Sequence, residues 1–285
     1  MHSTHDITDT SPEAEAVLLE CIRRIAPIER LEKALALSNQ IKRMTLAAIR
    51  RRHADFDEDE VRLKFIELTY GKTLSDDVRL AGGRWESLNE IDNIVDALYP
   101  VVSVLRDLQI RHFVGGSVAS SFHGATRSTM DVDVVCEMKG GQIPAFVSRF
   151  GADFYLSESA IREAVQRKSC FNLIHLSTSF KVDVFISRQR PFDLDSMNRA
   201  TTERLSPDRT LEVPVATAED SIIAKLESYR KTNETSDRQW SDVTQLIKLL
   251  GNTLNLEYLK SAAESVAVRD LLERLLASTN TLDDE

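Results

Sequence analysis

The stretch RHFVGGSVASSFHGATRSTMDVDVVCEM, residues 111–138, constrains the fold more than any other part of the chain. An apolar run ends in Gly115-Gly116, a small-residue segment closes at Gly124, and an alternating β-branched run follows. The pattern predicts a strand, a tight turn, a helix of one or two turns and a second strand. Glycine lets backbone approach an anion with no Cβ in the way, and a helix N-terminus offers unsatisfied N–H donors with partial positive charge. Gly115, Gly116 and Ser117 are therefore a candidate phosphate cradle. It is not a P-loop, because no Gly-Lys-Ser/Thr follows.

Asp131 and Asp133 stand at i and i+2 of the second strand, so their carboxylates leave the same face. Close carboxylates repel unless positive charge lies between them. On a surface strand water would suffice. The flanking Val132, Val134 and Val135 suit a strand packed on a core, which favours a bound hard cation such as Mg²⁺. A third carboxylate, Asp183, lies in the apolar run FKVDVFIS, where a lone Asp is costly to bury. Val182, Val184 and Ile186 share one face of that run; Lys181, Asp183 and Phe185 share the other. If the two strands are neighbours, three aspartates converge. Such a trio can hold two metal ions about 3.5–4 Å apart for phosphoryl transfer.

VGGSVASSFHGATRSTMDVDVV, followed by Asp183 on a later strand, resembles the nucleotidyltransferase superfamily with the DNA polymerase β-like fold. Within it the chain is most similar to the minimal nucleotidyltransferases and the AbiEii-type nucleotidyltransferase toxins. The likeness covers roughly residues 87–275. It implies an α/β (α+β) protein: a helical N-terminal extension over 1–80, a nucleotidyltransferase core sheet over 87–216 and a C-terminal helical bundle over 217–285. It also implies a Mg²⁺- or Mn²⁺-dependent enzyme that moves an NMP from an NTP to an acceptor hydroxyl and releases pyrophosphate. Gly115, Gly116 and Ser117 would hold the triphosphate, and Asp131 and Asp133 the metals. Asp183 would complete the metal site and help activate the hydroxyl.

DSIIAKLESYR and DRQWSDV resemble the helices that follow the core in AbiEii-like proteins. By that likeness Lys225 reaches the triphosphate and Asp242 supports the site. The alternatives are a surface Lys225 and an Asp242 that pairs with Arg238 on a helix face. Arg127 and Thr129 precede the aspartate strand and either orient that loop or touch nucleotide. His123 and Trp240 read as structural. The acceptor is open between RNA 3′ ends, especially tRNA, a hydroxyl on a protein such as a cognate toxin or antitoxin, and a small molecule such as an aminoglycoside. A nucleotide-binding scaffold without turnover is the other class, and three costly carboxylates argue against it.

Elsewhere, residues 13–72 read as helices, with Ile28, Leu31, Leu35, Ile41, Met44, Leu46 and Ile49 at helical spacing. Asp57 is a plausible N-cap, and Gly71 ends the helix it opens. Residues 72–86 read as a connector with a Gly-Gly break at 82–83, and residues 88–109 as a helix interrupted at Pro100. Residues 170–187 read as an antiparallel hairpin, and LEVPVAT as a last edge strand that tolerates Pro214. Thr217 with Asp220, and Ser236 with Gln239, are capping pairs for two later helices.

The net charge of −9 argues against a general DNA-coating protein. Residues 21–53 nevertheless carry nine Lys/Arg against two Glu, either a face for RNA or an acidic partner, or a solvated helix surface. No apolar run approaches the roughly 20 residues of a membrane span. Three widely spaced cysteines fit neither a disulfide framework nor a zinc site. The start, MHSTHDITDTSPEAEA, reads as neither signal nor transit peptide, with residues 1–12 expected to be disordered. The expectation is a reduced cytoplasmic protein with Cys21, Cys136 and Cys170 as small core residues. Oligomeric state is not legible.

Overall fold

The computed structural model describes residues 11–82, 94–206 and 212–280. Four helices come first: α1 (Pro12–Arg24), α2 (Pro27–Arg52), α3 (Glu58–Tyr70) and α4 (Lys72–Leu80). A reciprocal capping box opens α3, with Asp57 accepting from the Glu60 N–H and Glu60 from the Asp57 N–H. Gly71, at φ +101°, closes it. Within the segment expected as a connector, 72–86, Lys72–Leu80 form the helix α4, and residues 83–86 lie outside the described residues. The helix buries Ser75 and Val78, and the Ser75 hydroxyl donates to Leu63 O at 2.8 Å. Of the remaining expectations here, residues 1–10, residue 83 of the glycine break and residues 88–93 of the next helix lie outside the described residues.

Helix α5 (Ile94–Asp107) runs through Pro100 without a break. An interior proline costs about 3 kcal/mol. Ile94, Val95, Ala97, Leu98, Val101, Val102 and Leu105 are all buried along this helix, and each larger side chain returns about 1.5–3 kcal/mol. The core elements follow: β1 (His112–Val114), α6 (Gly116–His123), β2 (Asp131–Cys136), α7 (Ile143–Val147), β3 (Phe154–Tyr155), α8 (Glu158–Arg167), β4 (Cys170–His175) and β5 (Phe180–Ile186). The β4–β5 pair is the expected antiparallel hairpin. Helix α9 (Pro191–Arg199), strand β6 (Thr201–Arg204) and strand β7 (Glu212–Val215) complete this part; α9 and β6 were not legible in the sequence. The chain ends in α10 (Ala218–Lys231), α11 (Asp237–Leu250), α12 (Leu256–Ser265) and α13 (Arg269–Asn280).

Among the described residues seven strands form one mixed sheet in the order β3-β4-β5-β2-β1-β7-β6. Strand β7 is therefore not an edge strand: it lies between β1 and β6. Its register with β1 is confined to Val114↔Val215, so Pro214 sits where that ladder stops and its missing donor breaks nothing. The decisive pairing is β2 with β5, parallel, with Asp131↔Lys181 and Asp133↔Asp183. Val132, Val134, Cys136, Val182, Val184 and Ile186 point into the core on one face, where α5 packs. The other face of both strands carries the aspartates.

The N-terminal helices pack against Ile174 and Leu176 of the β4 end of the sheet, with Phe65 and Ile66 at their centre. Within α2 the expected stripe is only partly buried: Leu31, Leu35, Leu46 and Ile49 are inside, whereas Ile41 and Met44 are exposed. Two cations take the inner face instead. Arg30 donates to the carbonyls of Ile22, Arg23, Ile25 and His123, and Lys42 lies over the Phe180 ring, 4.7 Å from its centroid. The C-terminal helices form a further core around Ile222, Leu226, Val243, Leu246, Leu259 and Leu272. Trp240 packs on it, with the Arg274 guanidinium 4.3 Å from its ring. Thr217 caps α10, accepting from the Asp220 N–H. Ser236 stands at the N-cap of α11 but makes no side-chain capping bond, so only the first capping pair forms. Cys136 alone of the three cysteines is buried; Cys21 and Cys170 are exposed. No helix among the described residues is long and apolar enough to cross a membrane.

Candidate active site

The turn between β1 and α6 is shaped by Gly116. Its φ is +58°, and a Cβ there would lie 1.6 Å from Asp133 Oδ2. Both the backbone conformation and the approach of the carboxylate require glycine. Gly115 has ordinary room, with Phe113 Cε2 3.7 Å from the position of a Cβ. No side chain caps the N-terminus of α6, which leaves its first-turn amides to a ligand or water. Gly115, Gly116 and Ser117 line a cleft of 640 Å³, together with Asp131, Asp133, Lys225 and Arg127.

The cations are held by one buried carboxylate. Asp242 Oδ2 accepts from Lys225 Nζ at 2.6 Å and from Arg127 Nε at 2.9 Å. Arg127 Nη2 in turn donates to the Ser117 hydroxyl, whose own proton stays available to an anion. Burial lowers the Lys225 pKa and the Asp242 contact opposes that fall. Asp242 thus does not pair with Arg238, and Lys225 is not a surface residue. A chain from Ser117 through Arg127 and Asp242 to Lys225 joins the turn to α10 and α11.

Parallel register sets Asp133 beside Asp183, so the three aspartates share one face of adjacent strands as expected. Burial, then Asp131 and Asp183, push the Asp133 carboxyl up to about 7. Burial raises Asp183 as well, against the nearby Lys181. Of the two readings for Thr129, orienting the loop or touching nucleotide, its bonds match the first. It is buried, its hydroxyl donates to Asp131 Oδ1 at 2.9 Å, and its N–H donates to Ser38 Oγ on α2. It positions the carboxylate from behind. His123 is structural, its Nε2 2.7 Å from Ala216 O.

Three carboxylates suit a hard, oxygen-seeking cation; the Cys170 thiol lines the same cleft, and burial raises its pKa, which keeps it protonated and a poor ligand. As the side chains stand, no group of three His, Cys, Asp or Glu among the described residues is drawn into a metal-holding cluster. The cation beside them is Lys181, whose Nζ is 2.5 Å from Asp183 Oδ2 and 3.9 Å from Asp131 Oδ2. Lys181 was readable as a neighbour on the same face, being two residues from Asp183. Tyr70 was not. Its hydroxyl donates to Met130 O at 2.6 Å and Ser179 O at 3.1 Å, across 60 and 109 residues of chain.

A scan against protein-family models and a search of curated proteins find no match. Among solved structures the chain is similar to the antibiotic-resistance factor ANT(2'')-Ia: 12% identity, 66% of this chain and 95% of that one, TM-score 0.37. It is similar to an antigenic nucleotidyltransferase-like protein from Paracoccidioides brasiliensis at 19% identity, 65% and 92% coverage and TM-score 0.40. The CCA-adding enzyme in complex with ATP matches at 15% identity, 66% and 51% coverage and TM-score 0.28.

Proposed function

We propose that the chain is a nucleotidyltransferase that moves an NMP from an NTP to the hydroxyl of an RNA 3′ end, in the manner of the AbiEii-type toxins. One observation carries the reading: the β2–β5 register brings Asp131, Asp133 and Asp183 to one face, with Asp133 against a glycine turn that leaves the first-turn amides of α6 uncapped. The turn amides and the Ser117 hydroxyl receive the triphosphate, and Lys225 and Arg127, aimed by Asp242, balance its charge. Mg²⁺ or Mn²⁺ held by the three aspartates would neutralise charge developing on the phosphate oxygens. The acceptor oxygen bonds to the α-phosphorus as the bond to the β-phosphate oxygen breaks. Its proton passes to the Asp183 carboxylate, and pyrophosphate departs.

The RNA acceptor is supported by the mouth of the cleft. Lys168, Arg188, Arg190, Lys231 and Arg238 line it. Its carboxylates are already engaged, since Arg190 bonds both Asp193 and Glu227, and Lys231 is 2.9 Å from Glu227. A net positive mouth attracts a phosphodiester chain and repels a polycationic aminoglycoside. Phe185, 40% exposed and in register with Val135 beside the aspartates, offers a stacking face for a terminal base. The test is incubation of the purified chain with each α-³²P-labelled NTP, Mg²⁺, total RNA and cell lysate. Label in small RNA, abolished by Asp133→Asn, is expected. Label in protein would move the acceptor to a polypeptide hydroxyl, and no label in any fraction would reject the transferase reading.

A further inference from the structure

On β5, Lys181 and Asp183 alternate with Val182, so both leave the face that carries the site. The parallel register sets Lys181 opposite Asp131. Its ammonium therefore touches carboxylates on both strands, Asp183 at 2.5 Å and Asp131 at 3.9 Å. The side chain is only 16% exposed, unlike a lysine of a solvated surface pair. A third neighbour fixes it: the Tyr70 ring of α3, with its centroid 5.4 Å from Nζ. Tyr70 is itself pinned by the carbonyls of Met130 and Ser179, just ahead of the two aspartate strands. A long, flexible side chain held by two strands and a remote helix is a built feature, because holding it costs rotamer freedom.

We propose that the Lys181 ammonium permanently fills one of the two cation places at these carboxylates, so that the site takes one divalent ion and not two. The inference rests on the nucleotidyltransferase reading and specifies its metal requirement. Three carboxylates and one ammonium leave two negative charges, which a single dication balances. A second dication would have to share Asp183 with an ammonium already bonded to it, and like charges at that range repel strongly in a partly buried site. A tethered ammonium also differs from a bound metal in kind. It supplies charge and hydrogen-bond donors at fixed stoichiometry, is not removed by a chelator, and offers no coordination sites to substrate.

The test is the number of Mn²⁺ ions bound per chain, counted by paramagnetic resonance of free Mn²⁺ titrated against the full-length protein, with thermal melting in EDTA alongside. Wild type is expected to bind one ion. Lys181→Met should bind two, and should melt below wild type in EDTA and recover on adding Mn²⁺. Lys181→Arg, which keeps the charge, should still bind one; it decides the matter together with wild type if the Met variant does not fold. Two ions in wild type, or one in both wild type and a folded Lys181→Met, would overturn the proposal while leaving the transferase reading intact. No ion in any variant would instead reject the metal-dependent reading on which the proposal stands.

Discussion

Asp133 shows how a single residue feels its surroundings. It is pressed against Gly116, packed on a valine-rich strand and flanked by two further carboxylates, so its acidity is set by burial first and by Asp131 and Asp183 next. In the unfolded chain an Asp titrates near 3.9; in the folded, metal-free chain this one titrates at about 7. Between those values the folded state holds the extra proton, so stability falls as pH rises from about 4 to about 7 and levels off above. One group gives a slope of at most about 1.4 kcal/mol per pH unit. Urea unfolding in EDTA at pH 5 and pH 7.5 should therefore show a larger loss for wild type than for Asp133→Asn. An equal pH response in the two proteins would mean that the carboxylate is better solvated than its neighbours suggest.

At the scale of elements, the site is an assembly of three pieces that sequence separates widely. The β1–α6 turn presents amides, the β2–β5 pair presents carboxylates, and α10 with α11 presents cations. Asp242 is the joint between them. Both it and Lys225 are buried, with side chains 5% and 6% exposed. Removing one partner of a buried pair typically costs about 3–5 kcal/mol, because the other charge is left in a poor solvent. Asp242→Ala should thus lower unfolding free energy by about 3 kcal/mol, read by urea denaturation, and weaken nucleotide binding because Arg127 and Lys225 lose their aim. Adding Lys225→Met should return part of the stability but none of the binding. The local elements were largely legible. A strand, Gly-Gly turn, short helix and aspartate strand follow from residue spacing, and so does the β4–β5 hairpin. What spacing did not carry was the strand order, which put β6 outside β7, or the burial that keeps α5 whole through Pro100.

For the whole molecule, folding redistributes charge that the sequence only tallies. The basic run of α1 and α2 suggested an RNA-binding face. Several of its cations serve the structure instead: Arg23 donates to the Leu249 and Lys248 carbonyls, Arg30 and Lys42 are buried, and Arg50 pairs with Glu58. A second cationic patch, invisible as a run, gathers at the cleft mouth from Lys168, Arg188, Arg190, Lys231 and Arg238. If RNA enters there, Lys168→Ala/Arg188→Ala/Lys231→Ala should reduce the slope of log K against log salt by about 0.7 for each phosphate that is no longer neutralised. Arg51→Ala/Arg52→Ala on α2 should leave that slope unchanged. Filter-binding isotherms from 50 to 300 mM salt, on the order of a sixfold range, cover the regime where counterion release dominates. A slope that moved only in the α2 variant would return the RNA face to the N-terminal helices.

Residue order alone settles which side chains share a face. Alternation on a strand has a period of two, so Asp131 with Asp133, and Lys181 with Asp183, were bound to emerge together whatever the fold did. Residue order also places Gly116 where a turn must open. That β2 and β5 are parallel neighbours, in a register that sets Asp133 beside Asp183 and Lys181 beside Asp131, is a result of packing. Residues fifty apart carry no mutual spacing signal, because the pairing is chosen by packing of Val132, Val134, Val182 and Val184 on α5 and not by any local rule. The same holds for Asp242 and Tyr70. Each reaches the site from a helix whose own periodicity speaks only of its buried stripe, and a polar contact across such a distance is settled by how whole elements dock.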